Sequence, residues 1–180
     1  MAQLSRRLPQ NVPGEFYVDS SCIDCDACRQ IAPAIFRDHG DQSSVYHQPD
    51  NPGELHRALM ALIACPTASI GSAERRGAKS GVEAFPVHVT GDVYFCGFTS
   101  ESSFGAWAYL IVRPPERGGN VLVDSPRFNS PLVRKIEEMG GVRACARGWG
   151  RGAVRHRSAP DLFLKSPVRY RAARRHRPDA

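Results

Sequence analysis

Long apolar stretches are missing from this sequence of 180 residues. No run of apolar residues approaches the length of about 20 that a membrane-spanning helix needs. Arg6 and Arg7 stand near the start, but no apolar stretch follows them, as a secretory or twin-arginine signal would require. We therefore expect a cytoplasmic protein without membrane contact, in a compartment that keeps thiols reduced.

Positive charge is scarce in most of the chain, although the net formal charge is +6. Residues 1–141 hold 13 Lys and Arg against 16 Asp and Glu, whereas residues 142–180 hold 11 against 2. The basic balance belongs to the C-terminal segment, so the body lacks the charge of a nucleic-acid-binding protein. A basic arm at 142–180 for nucleic acid or an acidic partner stays an alternative, although aromatic residues there are too sparse for base stacking.

Six cysteines are present, and four of them have a spacing that predicts a metal–sulfur site. Cys22, Cys25 and Cys28 recur at three-residue intervals, and Cys65 follows at a distance, directly before Pro66. Three thiolates from one short loop can surround one side of a cubane, and a remote cysteine can close the fourth corner. Four soft thiolate ligands favour an iron–sulfur cluster.

A second C-x-x-C pair is lacking, which bears on the alternative of structural zinc. Zinc sites with four cysteines commonly use two separated pairs, each on its own turn. Three cysteines in one loop and a single distant one are unusual for such a site. A zinc-binding interaction module with a basic arm remains the alternative, and a brown colour bleached by dithionite would favour iron.

The residues around these cysteines resemble the bacterial single-cluster ferredoxins over residues 15–72. The likeness runs through Tyr17-Val18-Asp19, Ile31-Ala32-Pro33 and Ala64-Cys65-Pro66-Thr67-Ala68-Ser69-Ile70. The resemblance implies one [4Fe-4S] cluster that carries single electrons, with an electron donor and an electron acceptor protein as partners. The cluster ligands that it implies are Cys22, Cys25, Cys28 and Cys65.

Local patterns predict a small α+β module around this site. Residues 15–18 and 45–46 are aromatic or β-branched runs typical of strands. Asn51 is a helix cap, with Glu54 completing a capping box, and the helix that follows would end at Cys65. Because so small a module buries little core, the metal would supply much of its stability.

Residues 73–85 are polar, charged and rich in turn formers, and they predict a linker. Strand patterns follow at 87–89, 93–96, 107–112 and 121–123, before a helix that begins near Pro131. Cys96 lies in one of these strands and is expected in the core.

Residues 86–141 resemble the opening strands of the metallo-β-lactamase fold. The segments that carry this resemblance are Ser102-Ser103-Phe104-Gly105-Ala106, Tyr109-Leu110-Ile111-Val112 and Asn120-Val121-Leu122-Val123-Asp124-Ser125. Asp124 corresponds to an acidic position that usually has a supporting role in that fold. We assign no catalytic residue.

The His-x-His-x-Asp-His motif of that fold is absent from this sequence. Because such a motif binds the catalytic metal, the chain as written is not expected to be a metallohydrolase. The likeness ends near residue 141, and we interpret 142–180 as a basic tail of low order that follows a frameshift or a truncation. The alternative is an intact hydrolase-fold enzyme whose ferredoxin module supplies electrons.

An incomplete hydrolase fold has a physical consequence for residues 86–141. We expect an apolar sheet face to stay partly exposed and this part of the chain to be marginally stable. The face is predicted to comprise Val93, Phe95, Leu110, Val112 and Leu122.

Overall fold

The computed structural model describes residues 1–74 and 78–146, which form a mixed α+β structure. The N-terminal part begins with a 3-10 helix, Leu4–Arg6. Its strands and helices are β1 (Phe16–Val18), α1 (Ala27–Ile31), β2 (Phe36–Asp38), β3 (Ser43–Val45), α2 (Pro52–Ala64) and β4 (Ile70–Ser72). Two antiparallel pairs, β1 with β4 and β2 with β3, hold these elements together.

Helix α2 starts at the cap that the sequence predicts. The Asn51 side chain accepts a hydrogen bond from the Glu54 backbone N–H at 3.0 Å, and Pro52 occupies the first turn. The capping box also predicts that the Glu54 carboxylate accepts from the N–H of Asn51, and this part is wrong. The carboxylate accepts from the N–H of Asp50, one residue earlier. His47 competes for the same carboxylate, at 3.1 Å from Nε2 to Oε2.

Asn11 joins three backbone segments in the interior of the N-terminal part. Its amide nitrogen donates to the carbonyl oxygens of Leu8 and Val18, each at 2.8 Å. Its amide oxygen accepts from the N–H groups of Val18 and Val45, each at 3.0 Å. Asn11 is buried, and its one side chain satisfies four backbone groups, three of them in buried hydrogen bonds.

Replacing Asn11 with alanine is expected to lower the free energy of unfolding by about 3 kcal/mol, because buried backbone groups lose their partners. The matched control is Asn51→Ala, which removes one exposed cap and should cost about 1 kcal/mol. Urea denaturation of the cofactor-loaded protein, followed by circular dichroism, compares the two. Equal losses would contradict the bridging role of Asn11.

The C-terminal part is built on a five-stranded sheet. Its elements are α3 (Lys79–Glu83), β5 (Val87–Thr90), β6 (Val93–Phe95), β7 (Tyr109–Ile111), β8 (Val121–Val123), α4 (Ser130–Glu138) and β9 (Ala144–Ala146), with short 3-10 helices at Glu101–Ser103 and Pro115–Arg117. The strand order is β5-β6-β7-β8-β9. Each of the first four strands is antiparallel to its neighbours among them. Helix α4 connects β8 to β9, and these two strands are parallel to each other.

Asn129 caps helix α4, and its side chain accepts from the Leu132 N–H at 3.1 Å. Leu132 and Ile136 are fully buried, as their helical spacing predicts. Gly140 and Gly141 follow the helix with positive φ, a backbone conformation that ends a helix.

The segment predicted as a linker packs against the N-terminal part in its described residues. Helix α3 lies on α2, where a Cβ added to Gly81 would lie only 2.6 Å from the Leu59 carbonyl oxygen. Phe85 is fully buried and makes edge contacts with Phe95 and Phe98, at centroid distances of 5.6 and 5.7 Å. The interior of the protein therefore runs through this segment without a break.

The two parts are also joined by hydrogen bonds to the end of α2. The Thr99 hydroxyl donates to the Ala64 carbonyl oxygen, and Arg127 donates to the Ile63 carbonyl oxygen at 3.2 Å. These carbonyl groups have no partner within the helix because they belong to its last turn. The C-terminal part thus caps the helix that carries Cys65.

The prediction of an exposed apolar face on the sheet is wrong for three of its residues. Phe95 is 4% exposed, and Leu110 and Leu122 are fully buried. The register explains the error, because Phe95 pairs with Tyr109, whereas Leu110 pairs with Leu122. Paired residues share a face and neighbours alternate, so Phe95 lies on the opposite face from the two leucines. Both faces contribute to the shared core.

The predicted start of a low-order tail at residue 142 is also wrong for the residues that the structure describes there. Val142 is buried, and Ala144–Ala146 forms β9 beside β8. The Asp124 N–H, at the end of β8, donates to the Ala146 carbonyl oxygen at 2.8 Å. The remainder of the predicted tail, 147–180, lies outside the described residues.

Candidate metal centre

The four cysteines singled out by their spacing converge on one cavity. Cys22 and Cys25 lie in the loop between β1 and α1, Cys28 lies in the first turn of α1, and Cys65 caps the C-terminal end of α2. All four line the cavity, and none of them is in a disulfide. Cys28 and Cys65 are buried, whereas Cys22 and Cys25 are half-buried.

The wall of the cavity between the thiols is mostly apolar. Apart from the cysteines, its lining comprises Val18, Ile23, Asp26, Ala27, Ser43, Thr67, Ser69 and Ile70. Strands β1, β3 and β4 each contribute a residue, so the strands of both small sheets position this wall. Such a lining limits access of water to the sulfur atoms.

The loop that carries the first three cysteines bends through two left-handed residues. Asp24 and Asp26 have φ values of 54° and 65°, a conformation that aspartate tolerates better than most residues. Arg29 holds both carboxylates, with N–O distances of 2.7 Å to Asp24 and 2.5 Å to Asp26. It also reaches Asp38 at 3.2 Å.

The contacts of Arg29 change how Asp24 and Asp26 are interpreted. From sequence these two aspartates are candidates for a negative field that lowers the potential of a cluster. One guanidinium offsets the charge of one carboxylate, so the two aspartates contribute less net negative charge to the site than their number suggests. Arg29 is a residue that the sequence reasoning missed, although its i,i+3 spacing from Asp26 is a usable signal.

Two backbone N–H groups and one hydroxyl point at cavity sulfur atoms. The Ser69 N–H donates to Cys65 Sγ at 3.3 Å, and the Ser43 N–H donates to Cys22 Sγ at 3.5 Å. The Thr67 hydroxyl lies 3.7 Å from Cys65 Sγ. The two N–H donors favour the negatively charged form of a sulfur ligand.

Burial opposes charge on the cavity thiols. It raises the pKa of the Cys28 thiol to about 12, and it is also the main cause of the raised pKa of Cys25. The charges of the neighbouring cysteines raise both values further. Four thiolates can therefore share this cavity only around a cationic centre, and soft thiolates are suited to iron in a sulfide-bridged cluster. The donor set fits such a group.

The C-terminal part reaches the metal centre through Gly105. A Cβ added at this residue would lie 2.7 Å from Cys25 Cβ, 3.0 Å from Cys25 Sγ and 3.5 Å from Pro66 Cγ. Gly105 also has a φ of +76°, which disfavours any side chain. No local pattern connects this glycine with the cysteines, because 80 residues separate it from Cys25.

One comparison with known proteins bears on the site. Residues 18–72 match the family model described as the 4Fe-4S single cluster domain of Ferredoxin I. The cofactor is a [4Fe-4S] cluster. The match contains the whole cavity lining and ends at the last residue of β4. No curated protein and no solved structure matches the chain.

The resemblance of residues 86–141 to the metallo-β-lactamase fold stays a prediction, because the matched segment ends before them. Cys96 is buried in the shared core and does not line the cavity, in keeping with the expected core position. No helix in 1–74 or 78–146 combines the length and the apolar character needed to cross a membrane.

Proposed function

We propose that this protein carries single electrons through one [4Fe-4S] cluster bound by Cys22, Cys25, Cys28 and Cys65. The observation that carries the proposal is the convergence of these four thiols in one cavity, inside the segment that matches a single-cluster domain. When bound, such a cluster exchanges one electron at a potential set by charge, hydrogen bonds and exposure.

The residues of this chain bind, shield and tune the site. Helix α2 presents Cys65 on a rigid element, whereas the loop between β1 and α1 supplies the other three thiolates. Arg29 offsets part of the negative charge of the aspartates between them, and the N–H groups of Ser43 and Ser69 stabilise charge on sulfur. This arrangement supports storage of an added electron without movement of the protein.

We further propose an electron donor and an electron acceptor protein as partners, in the cytoplasm, where thiols stay reduced before the cluster is assembled. The buried walls of the cavity support transfer through its more open side, where Cys22 and Cys25 are half-buried. For residues 86–141 we retain the metallo-β-lactamase-like fold as a proposal, supported by the predicted order of four strands and a helix.

Spectroscopy of the anaerobically purified protein tests the proposed function. We expect about four irons and four sulfides per chain, and broad visible absorption that dithionite bleaches. Electron paramagnetic resonance should show the signal of a reduced cluster, with about one spin per chain, that disappears on reoxidation. Stoichiometric zinc with no visible absorption would contradict electron transfer and favour an interaction module.

A further inference from the structure

Ser43 is a buried polar residue that the architecture of the fold leaves unexplained. It lies in β3 with 1% of its surface exposed, and its hydroxyl oxygen has no hydrogen-bond partner within residues 1–74 and 78–146. A buried hydroxyl without a partner costs free energy. We therefore ask whether a group bound in the cavity serves as the hydrogen-bond partner of the Ser43 hydroxyl.

The position of Ser43 links it to the metal centre. The residue lines the cavity of the four cysteines, and its backbone N–H donates to Cys22 Sγ at 3.5 Å. Cys28 lies in the wall of the same cavity. Ser43 thus contacts the metal centre through its backbone N–H, and its hydroxyl is a buried donor at the same cavity that lacks a partner in the described part of the chain.

Ser44 provides an internal comparison. It is fully buried in the same strand, and its hydroxyl also has no partner among the described residues. It does not line the cavity, because successive residues of a strand point to opposite faces. The two serines therefore share burial, chemistry and strand, and differ in whether they face the cysteines.

We propose that the Ser43 hydroxyl donates a hydrogen bond to sulfur of the bound cluster or to its Cys28 ligand, and thereby raises the reduction potential. The inference rests on the proposed cluster at this site. Reduction adds negative charge to the cluster, so a donor aimed at sulfur stabilises the reduced form more than the oxidised form. Ser43 is a positioning residue that tunes the site and is not a ligand.

Redox titration of the loaded protein, monitored by electron paramagnetic resonance, tests the inference on three variants. At one fixed ambient potential, Ser43→Ala should lower the ratio of reduced to oxidised cluster by up to about tenfold. Ser44→Ala should leave this ratio unchanged, and Ser43→Thr, which keeps a hydroxyl, should stay near wild type. An equal shift in Ser43→Ala and Ser44→Ala, or no shift in Ser43→Ala, would overturn the proposal.

A second readout does not depend on a substitution. After brief exposure to D₂O, a hydroxyl proton exchanges faster than the N–H groups of a buried strand, so its hyperfine coupling to the reduced cluster should disappear first. Electron–nuclear double resonance of the wild-type protein measures this coupling, and its absence would overturn the proposal even if Ser43→Ala does not fold. A wild-type protein without any cluster signal would instead contradict the proposed function.

Discussion

Replacing Cys28 with alanine is expected to abolish the four-iron cluster and to unfold the N-terminal part. Four thiolates bind one structural metal with an apparent free energy on the order of 10 kcal/mol, comparable to the whole stability of a small domain. Cys28 is a buried residue of α1 that lines the cavity, so an alanine also leaves a void among uncompensated thiols. Iron and sulfide analysis, with thermal unfolding followed by circular dichroism, measures both effects.

Cys96→Ala is the matched control for this substitution. Cys96 is also a buried thiol whose pKa is raised to about 12 by burial, but it lies in the core beside β6 and outside the cavity. Its replacement should retain the cluster and cost only about 1–2 kcal/mol, the effect of losing one buried sulfur from a packed core. Wild-type iron content in Cys28→Ala would contradict the proposed ligand set.

Gly105→Ala is expected to displace the loop that covers Cys25 and to shorten the lifetime of the cluster in air. The new Cβ would lie 2.7 Å from Cys25 Cβ, inside the closest approach that carbon atoms tolerate. The φ of +76° adds backbone strain. Such overpacking costs about 1–3 kcal/mol beyond the strain itself. Thermal unfolding and the rate of loss of visible absorption under air measure the effect.

Gly40→Ala separates the strain from the contact. Gly40 has a φ of +78° in the turn between β2 and β3, and a Cβ there would meet nothing within 4 Å. The control therefore carries the same backbone cost without a clash. If both variants lose the same stability and bleach at the same rate, Gly105 has no special relation to Cys25.

The dependence of the cluster on Gly105 would give the C-terminal part a role at the metal centre. The same part caps α2 through Thr99 and Arg127, at the end that carries Cys65. Two of the four cysteines are thus contacted or supported by residues beyond the matched segment 18–72. The C-terminal part therefore helps to hold the fold around the site.

Several local features could be predicted because neighbouring residues decide them. The Asn51 cap and the start of α4 near Pro131 depend on contacts within a few residues, and the structure has both. The same local reasoning failed for the second hydrogen bond of the capping box, because Asp50 and not Asn51 donates to Glu54. Asp50 and Asn51 are adjacent, and their N–H groups lie within reach of the same carboxylate.

Errors arose wherever register or distant contacts decide the outcome. The grouping of Phe95 with Leu110 assumed that they share a sheet face, but strand pairing places them on opposite faces. The linker prediction for 73–85 used composition alone, which does not show that Gly81 allows α3 to approach the backbone of α2. Likewise, a basic composition did not reveal that Ala144–Ala146 pairs with β8.

By itself, the sequence determined the mixed α+β character of this protein, because its strand and helix patterns are local. The spacing of four cysteines favoured an iron–sulfur cluster, and the resemblance to single-cluster ferredoxins implied the [4Fe-4S] cofactor and the ligand set proposed for it. Only the tertiary structure decided which other groups meet those cysteines. Arg29, Ser43 and Gly105 approach the site through the loop, strand β3 and the distant sheet, respectively. Their roles depend on distances between segments far apart in the chain, which arise when apolar surfaces pack into one core.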